Sequence, residues 1–398
     1  MATVLVTGAA SGIGRAAARL FAARGWRCVL VDRNLQGLQQ LAAELPAVEA
    51  PHVLRAVDLT NAAQVATLAE GTPPLDAVVN NAGMSDASNI ALADQPPEQL
   101  DRLLALNLAA PAAVVTTCLP LLSPGARIVN VSSGAGLHAI PFRGAYSPSK
   151  AGLIAQSQAL AQARPDLCVT VLCPGFVRTE LVEGLIQAGR LQPEGAVAKI
   201  PLGRMGLPEE LAEAMLFLAG EGAAPLHGGL LPVNGGSSIY GGSRPFAPAA
   251  LAVSPLDLPL RLEIVGDAAL WRDVARTEVA GPAYAACLDV SPLTCAPGDV
   301  LHAVHAAAVR FAARGPETAS LTLLLPSGQS TDWQHAGDGA AARMLVSTLA
   351  CEWGGRALRI NALEVPPGAV PAALHPLLRY VAGAAAQYLT GQTLACRP

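Results

Sequence analysis

The sequence predicts an α/β protein with a doubly wound parallel sheet, followed by a second, smaller α/β domain of related order. Three observations lead to this prediction. Residues 2–32 give an apolar strand, a glycine-rich turn, an Ala-rich helix and a second strand that closes on an acid. Further apolar strands then alternate with helical segments and end in small or polar residues, as parallel strands do beside a ligand. The last third of the chain repeats the later part of this order without the glycine turn.

The first turn, GAASGIG, is typical of a dinucleotide site. Gly8, Gly12 and Gly14 let the backbone turn tightly and approach a pyrophosphate, whose charge the N-terminus of the next helix stabilises. The spacing is G-x-x-x-G-x-G, so an ordinary tight turn between strand and helix stays open as the alternative. Asp32 ends the second strand, where its carboxylate can accept both adenosine ribose hydroxyls and repel a 2′-phosphate. This favours NAD over NADP, although Arg33 beside it would offset part of the repulsion.

The later strands close on residues suited to the same crevice. Asp58 follows HVLRAV, where it would either contact the cofactor or cap the helix that begins near Asn61. The other strands end in NNAG, VSS and PGFVRT, which contribute Asn80, Asn81, Gly83, Ser132, Ser133, Pro174, Gly175 and Thr179.

One helix carries the residues that we expect to move a proton. Tyr146 and Lys150 are four residues apart, so their side chains share a helix face. A free phenol titrates at about 10 and is a poor base at neutral pH. We expect the nearby ammonium to favour the phenolate and to lower the pKa of Tyr146, as general base catalysis requires. The chain has only two lysines, Lys150 and Lys199, so the position of Lys150 is informative.

Five motifs carry a resemblance to a known family. TGAASGIG, NNAG, NVSS, YSPSK and PGFVRT occur in the order and spacing of the short-chain dehydrogenase/reductase family, over residues 1–242. The resemblance implies a seven-stranded parallel sheet with helices on both faces. It also implies hydride transfer that depends on a nicotinamide cofactor.

The resemblance further implies a catalytic set of Asn107, Ser133, Tyr146 and Lys150. Ser133, rather than Ser132, would donate a hydrogen bond to the substrate oxygen, where charge changes in the transition state. Asn107 would hold a water that links Lys150 to solvent. From the residues alone, Asn107 could equally form a hydrogen bond between helices.

The same resemblance implies how the cofactor is held. Lys150 would bind the nicotinamide ribose, and Val177 and Thr179 the carboxamide. The full implied set is Gly8, Ser11, Gly12, Ile13, Gly14, Asp32, Asp58, Asn81, Ala82, Gly83, Tyr146, Lys150, Pro174, Gly175, Val177 and Thr179.

The sequence does not name the substrate. The segments that would contact it are apolar and carry four cations, which are Arg143, Arg190, Lys199 and Arg204. These would meet an acidic or CoA-bearing substrate, or are ordinary surface charge. The leading prediction is an NAD-dependent dehydrogenase of a small secondary alcohol, or the corresponding ketone reductase. A 3-oxoacyl-thioester reductase and a non-catalytic nucleotide-sensing protein are the alternatives, and the intact Tyr146 and Lys150 argue against the second.

The last third predicts a domain without this chemistry. A Pro/Ala-rich linker over 244–260 separates the catalytic domain, 1–243, from residues 261–398. Its first strand, RLEIVG, is followed by one glycine, Gly266, so a pyrophosphate could not approach the backbone there. Later segments resemble the family's helix before the serine strand, that strand, the catalytic helix and the closing strand, while the middle strands are missing.

Tyr and Lys are replaced in that copy by His335 and Gly339. We therefore predict a truncated, inactive partner fused to an active one. Residues 339–352 would pack beside 146–162, and the Asn107 helix and 300–313 would complete a four-helix layer. Family members are often tetramers, so we expect a homodimer of fused pseudo-dimers. A regulatory domain that binds another ligand is the alternative.

Composition excludes other classes of function. The net charge of −4 provides no excess of basic residues for nucleic acid or an anionic membrane. Eight cysteines without a C-x-x-C pair or metal-ligand spacing argue for the reducing cytoplasm and against a metal site. His302 and His305 lack a third ligand, and we expect them on a solvated helix face.

We also expect neither a signal peptide nor a membrane span. The N-terminus enters a strand at once, without a basic or apolar leader. Residues 103–126 are uncharged and long enough to cross a bilayer, but Asn107, Pro111 and Pro120 interrupt them. We interpret this stretch as a buried helix followed by a turn.

Overall fold

The structure is a computed structural model of the chain. It describes residues 1–398 apart from 87, 89, 188, 190, 191, 250, 268, 276–279, 297, 316–317, 328–332 and 398, and the side chains of 181 and 333–336. The described residues form two compact units. The first comprises Met1–Gly184, Leu207–Glu221 and His227–Leu231, and the second Leu185–Gly206, Gly222–Leu226 and Pro232–Pro398.

The first unit contains a sheet of seven parallel strands. These are β1 (Thr3–Thr7), β2 (Arg27–Asp32), β3 (Val53–Ala56), β4 (Leu75–Asn80), β5 (Leu122–Val131), β6 (Cys168–Leu172) and β7 (Leu230–Leu231). Their order is β3-β2-β1-β4-β5-β6-β7, so the chain changes direction across the sheet between β1 and β4. Ligands of open α/β sheets bind at such a switch point. The predicted seven-stranded parallel sheet is confirmed.

Nine α-helices lie between β1 and β7 along the described residues, and one of them, Pro193–Val197, belongs to the second unit. They are α1 (Gly12–Ala23), α2 (Leu35–Glu44), α3 (Ala62–Ala66), α4 (Pro97–Leu104), α5 (Ala110–Cys118), α6 (Tyr146–Ala163), α7 (Glu180–Gln187), α8 (Pro193–Val197) and α9 (Pro208–Ala219). The core lies where apolar helix faces cover fully buried strands. Val114 and Cys118 of α5, for example, pack on Leu5 and Ile128.

The uncharged stretch 103–126 contains a π-helical turn, Ala105–Ala109, between α4 and α5. We predicted a turn at the end of this stretch. The structure has the first residues of β5 there, because Leu122 pairs with Leu75 of β4. Among the described residues, Pro97–Leu121 is long and apolar enough to cross a membrane by length and composition alone. Buried core helices of other proteins pass the same test.

The second unit contains a sheet of five parallel strands. These are β8 (Leu260–Val265), β9 (Tyr284–Asp289), β10 (Ala319–Pro326), β11 (Leu358–Val365) and β12 (Thr393–Ala395), in the order β12-β11-β10-β9-β8. Its helices are α10 (Ser291–Thr294), α11 (Val300–Ala313), α12 (Trp333–Trp353) and α13 (Pro371–Ala382). Successive strands lie side by side in the order of β1, β4, β5, β6 and β7, without counterparts of β2 and β3. Strand β9 lies between the two strands that we predicted, β8 and β10, so the expectation that the middle strands are missing was wrong at this position.

Candidate active site

The glycine-rich turn after β1 requires its glycines. Gly8 and Gly12 have φ values of +66° and +52°, in the left-handed region that favours glycine. A Cβ on Gly14 would lie 2.1 Å from the carbonyl oxygen of Gly8. The turn therefore requires glycine at these positions, and the close approach of a pyrophosphate to its backbone stays a prediction.

The N-terminus of α1 is held by a carboxylate. Its N-cap, Ser11, makes no capping hydrogen bond through its side chain. Instead, the Gly12 N–H donates to Oε2 of Glu180 at 2.9 Å, and Arg15 Nη1 donates to Oε1 at 3.0 Å. Helix N-termini favour anions, and the Glu180 carboxylate occupies the place that an anionic ligand would take. Ile13 is the next residue of the same turn. The turn therefore fits a pyrophosphate, and the sequence analysis missed Glu180.

Asp32 is fixed beside this turn. Its Oδ2 accepts a hydrogen bond from the N–H of Ala10 at 3.1 Å, and its Oδ1 accepts one from Asn34 at 2.9 Å. The side chain remains half-buried, while Arg33 is exposed. A carboxylate thus stands at the end of β2, where we expected it to meet a ribose.

The structure excludes one of the two interpretations of Asp58 and leaves the cofactor contact a prediction. Asn61, not Asp58, caps α3 by accepting hydrogen bonds from the N–H groups of Ala63 and Gln64. The helix-cap alternative for Asp58 was therefore wrong. Hydrogen bonds from the hydroxyl and the N–H of Thr60 lower the pKa of Asp58, so the carboxylate stays charged at the end of β3.

The segment Asn81–Ala82–Gly83 connects the switch point to the catalytic helix. The hydroxyl oxygen of Thr7 accepts hydrogen bonds from the N–H groups of Asn81 and Ala82, each at 3.0 Å, which join β1 and β4. A Cβ on Gly83 would lie 3.2 Å from Lys150 Nζ and 3.3 Å from Asn107 Oδ1. Glycine therefore leaves room for both polar side chains at this point.

Asn107 is fully buried in the π-helical turn. Its Nδ2 donates to the carbonyl oxygen of Met84 at 2.9 Å and to the hydroxyl of Ser149 at 3.1 Å. Its Oδ1 accepts the N–H of Met84, also at 2.9 Å. Asn107 thus links the end of β4 to α6, which corresponds to the hydrogen bond between elements that we kept as an alternative.

Lys150 is buried next to it. Lys150 is only 3% exposed, and its Nζ donates to the carbonyl oxygen of Val131 at 2.9 Å. Burial lowers the pKa of Lys150 to about 8, which the nearby Cys173 partly opposes. The ammonium can therefore lose and regain its proton near neutral pH.

The two serines after β5 have different roles. The hydroxyl of Ser132 is buried and donates to the carbonyl oxygen of Lys150 at 2.8 Å, so it supports α6. Ser133 accepts a hydrogen bond from Ala135 N–H and forms one with Tyr146. This geometry agrees with the choice of Ser133 as the residue that meets the substrate.

The pKa of Tyr146 differs from our expectation. Burial raises it above the ordinary value, while the hydrogen bond with Ser133 and the charge of Arg143 act in the opposite direction. The prediction of a pKa lowered by Lys150 was wrong for this structure, because removal of the phenol from water outweighs the nearby charges. In this state Tyr146 holds its proton and is prepared to donate it.

The segment after β6 runs from the serine towards the glycine turn. The carbonyl oxygen of Pro174 accepts the N–H of Gly134 at 2.8 Å, which places Pro174 and Gly175 beside the Ser133 turn. Val177 is buried, and a Cβ on Gly12 would lie 3.4 Å from the methyl group of Thr179. This segment therefore passes from the Ser133 turn to the glycine turn, and its contacts with a cofactor stay a prediction.

An open cleft of about 400 Å³ lies between the segment that follows β4 and helix α4. It is lined by Met84, Ser85, Asp86, Glu98, Gln99, Arg102 and Leu103. In the described residues, no three His, Cys, Asp or Glu side chains come together as metal ligands.

The second unit lacks this constellation in its described part. Gly266 follows β8 with a φ of +95°, and α12 carries Gly339 where α6 carries Lys150. Arg343 of α12 forms an ion pair of 2.9 Å with Glu364 at the end of β11. The side chain of His335 lies outside the described residues, as does Arg190 of the first copy.

Comparisons with known proteins cover the first part of the chain. The sequence profile of a family described as enoyl-(acyl carrier protein) reductase matches residues 8–238. An uncharacterized short-chain type dehydrogenase/reductase of Sinorhizobium fredii, y4vI, is 40% identical over 239 residues, which are 58% of this chain but only 43% of that relative. The 3-oxoacyl-(acyl-carrier-protein) reductase FabG of Thermotoga maritima is 34% identical over 243 residues, which are 59% of this chain and 97% of the relative.

A solved structure shows the same relationship. A short-chain dehydrogenase/reductase of the glucose/ribitol dehydrogenase type from Brucella melitensis superposes with a TM-score of 0.55 at 28% identity. It covers 59% of this chain and 96% of its own.

Proposed function

Because the chain belongs to the short-chain dehydrogenase/reductase family, we propose that it transfers a hydride between NAD and a secondary alcohol or ketone, with Tyr146 as general acid and base. The observation that carries this proposal is the convergence of Ser133, Tyr146, Lys150 and Asn107 at one edge of the sheet. Members of this family use a nicotinamide cofactor, which supplies or accepts the hydride when it is bound.

The protein's own residues handle the oxygen and its proton. During ketone reduction, the hydride adds to the carbonyl carbon and Tyr146 donates its phenolic proton to the carbonyl oxygen. Ser133 donates a hydrogen bond to the same oxygen as negative charge develops there. Lys150, with a pKa near 8, stabilises the phenolate left behind and returns a proton to it. Alcohol oxidation follows these steps in reverse.

The residues of the crevice suit a dinucleotide. The glycine turn and the N-terminus of α1 would hold the pyrophosphate, since Glu180 already places an anionic group there. Lys150, Val177 and Thr179 would hold the nicotinamide end, with Asn81, Ala82, Gly83, Pro174 and Gly175 lining the space between. Asp32 and Asp58 would face the adenosine end.

We propose NAD rather than NADP because Asp32 would repel a 2′-phosphate. Asp32→Ala should narrow the difference in kcat/KM between the two cofactors and raise the KM for NAD. Arg33→Gln should have the opposite effect and widen this difference, because Arg33 offsets part of the repulsion. Equal or better kcat/KM with NADP in the unmodified protein would mean that Arg33 or another cation outweighs Asp32.

The second domain we propose to be a truncated, non-catalytic copy that serves as a structural partner within the chain. Its strand order, which follows that of β1, β4, β5, β6 and β7, supports this proposal. The four-helix layer and the homodimer of fused pseudo-dimers stay predictions. We also propose a cytoplasmic location, in line with eight cysteines that are free in the structure.

The alternative activity is reduction of a 3-oxoacyl thioester, which the relative in Thermotoga maritima favours by its name. The same four side chains would carry it out. The test is to incubate the purified chain with NADH or NADPH and a panel of small ketones and 3-oxoacyl thioesters, and to follow cofactor oxidation. Faster turnover of ketones supports the leading proposal, and faster turnover of thioesters supports the alternative. Tight cofactor binding without any turnover would favour a nucleotide-sensing protein.

A further inference from the structure

One cation near Tyr146 has no role in the proposed chemistry. Arg143 precedes Tyr146 by three residues, and its carbonyl oxygen accepts the N–H of Tyr146 at 3.1 Å. The side chain is half-buried, and its charge opposes the rise that burial causes in the pKa of the Tyr146 phenol. The guanidinium therefore lies close enough to Tyr146 for its charge to act on the phenol.

Arg143 is held by a backbone oxygen and not by a carboxylate. Its Nη1 donates to the carbonyl oxygen of Asp86 at 3.3 Å. None of the ion pairs among the described residues involves Arg143. Among the described residues its charge therefore has no carboxylate partner, and a partly desolvated cation of this kind favours an anionic one.

The carboxylate of Asp86 is nearby but is engaged elsewhere. It accepts hydrogen bonds from the N–H and the hydroxyl of Ser88 at 2.8 and 2.9 Å, and from Gln95 and Gln99 at 2.7 and 2.9 Å. Burial opposes the charged form, but these four hydrogen bonds outweigh it and keep the pKa of Asp86 low. The carboxylate of Asp86 is therefore occupied by other donors and does not pair with the charge of Arg143.

The loop that presents Arg143 has a strained backbone. Phe142 has a φ of +59°, which bulky residues rarely adopt, and Gly144 has one of +53°. A Cβ on Gly144 would lie 2.8 Å from Oδ2 of Asp86 and from Oε1 of Gln95. Backbone strain persists where surrounding contacts impose it, and it is common at ligand sites. Here those contacts fix Arg143 beside Tyr146.

We propose that Arg143 is a specificity-determining residue that binds an anionic group of the substrate. The substrate is then a ketone or secondary alcohol with a carboxylate, sulfonate or phosphate a few bonds from the reacting carbon. A guanidinium suits this task because its planar N–H groups bind such anions in pairs. This inference rests on the proposed function, since it concerns the substrate of the same site.

The test measures binding without turnover. Acetoacetate and levulinate are titrated calorimetrically into the full chain saturated with NAD⁺, a combination of two oxidised partners that cannot react. Their methyl esters serve as neutral matches. We expect the unmodified protein to bind at least one acid about tenfold or more tightly than its ester, as for hydrogen bonds to charged groups. Arg143→Gln should abolish this preference, Arg143→Lys should retain part of it, and Arg24→Gln, remote from the site, should leave it unchanged.

A second readout distinguishes recognition from loop support. Because Arg143 lowers the pKa of Tyr146, Arg143→Gln should move the acidic limb of the alcohol-oxidation pH profile to higher pH, while Arg143→Lys should leave it nearly in place. Equal binding of acids and esters by the unmodified protein would overturn the inference, as would a preference for acids that survives in Arg143→Gln. Turnover of neutral ketones only would also overturn it and leave the proposed function intact. A chain that turns over no ketone but binds acids through Arg143 would refute the proposed function alone.

Discussion

Glu180 is the residue with the most direct consequence for cofactor binding. Its carboxylate accepts the Gly12 N–H at the N-terminus of α1, where a pyrophosphate would bind. Two anions at one helix end repel each other, and each loses part of its stabilisation by the helix dipole. We therefore expect the Glu180 side chain to leave the Gly12 N–H when a dinucleotide binds.

We predict that Glu180→Gln tightens NADH binding about two- to fivefold, the range expected for one charge at a helix terminus. Fluorescence titration of NADH at low and high salt measures this change, and salt should reduce the difference between the two proteins. Glu183→Gln is the matched control. It removes a carboxylate three residues after Glu180 that pairs with Arg178, and it should leave the affinity for NADH unchanged. An unchanged or weaker affinity for NADH in Glu180→Gln would show that the carboxylate does not compete with the cofactor.

At the residue scale, the sequence could predict side chains that chemistry restricts to one type. The glycines, Asp32, Tyr146 and Lys150 belong to this group. Close approach of a ligand to the backbone needs glycine, binding of ribose hydroxyls needs a carboxylate, and proton transfer needs a titratable side chain. Glu180 could not be predicted, since its contact with Gly12 joins residues 168 apart and depends on the path of the chain after β6. The raised pKa of Tyr146 was missed for a similar reason, because burial is a property of the folded site.

At the scale of elements, the prediction succeeded where apolar runs were long and β-branched. Such runs gave β1, β2, β4 and β6, and their parallel order followed from the intervening helices. Strand β9 was not predicted, because YAACLD lacks β-branched residues and carries little signal for a strand. The π-helical turn at Asn107 was also missed, since one additional residue in a helix barely changes the spacing of apolar positions.

Arg359 of β11 shows a further limit of the sequence. The guanidinium is 1% exposed and donates to the hydroxyl of Tyr284 and to five carbonyl oxygens, those of Val381, Ala382, Gly383, Ala386 and Leu389. It joins strand β11 to the end of α13 and the turn that follows. No local pattern identifies an arginine that hydrogen bonds to backbone in place of solvent.

Helix α6 and strand β5 are connected through Lys150, which donates to Val131. Burial depresses the pKa of Lys150 from 10.5 to about 8, so the folded state disfavours the ammonium that the unfolded chain carries. The penalty is fully present below the folded pKa of about 8 and disappears as the pH rises towards 10.5.

We therefore predict that Lys150→Met keeps or raises the Tm at neutral pH while reducing turnover by about 100-fold or more. The Tm difference between the two proteins should shrink between pH 8 and 10.5, which thermal denaturation at several pH values measures. A large loss of stability in Lys150→Met at neutral pH would contradict this account and would show that the hydrogen bond to Val131 outweighs the cost of burying the charge.

At the scale of the whole molecule, the compact units do not follow the predicted domain bounds of 1–243 and 261–398. Leu185–Gly206, Gly222–Leu226 and residues 232–243 belong to the unit that contains the C-terminal sheet. Within that unit, the N–H of Gly235 donates to the carbonyl oxygen of Tyr388, and the N–H of Arg397 to that of Pro225, each at 2.8 Å.

Two glycines of that unit lie in close contact with other segments of the chain. A Cβ on Gly206 would lie 2.5 Å from the ring of Tyr388, and one on Gly354 would lie 2.1 Å from the carbonyl oxygen of Pro201. The segments before residue 243 therefore fold against the C-terminal third of the chain.

We predict that residues 1–242 alone aggregate or self-associate, because the cut exposes apolar surface that the last third covers in this unit. Light scattering and mass by size-exclusion chromatography measure the outcome, with the full chain as control. Tyr388→Ala in the full chain should show a milder form of the same defect, a lower Tm. A soluble, fully active monomer of residues 1–242 would show that the last third is not a structural partner.

The measurement that tests the central claim most directly is the comparison of Tyr146→Phe with the unmodified chain on a confirmed substrate. The phenol moves a proton but contributes little to holding the dinucleotide, so we predict a loss of kcat of about 100-fold or more. The Kd for NADH, measured by fluorescence, should stay within about twofold, since the hydroxyl is a minor part of that contact. Near-normal turnover by Tyr146→Phe would contradict the assignment of Tyr146 as the general acid and base.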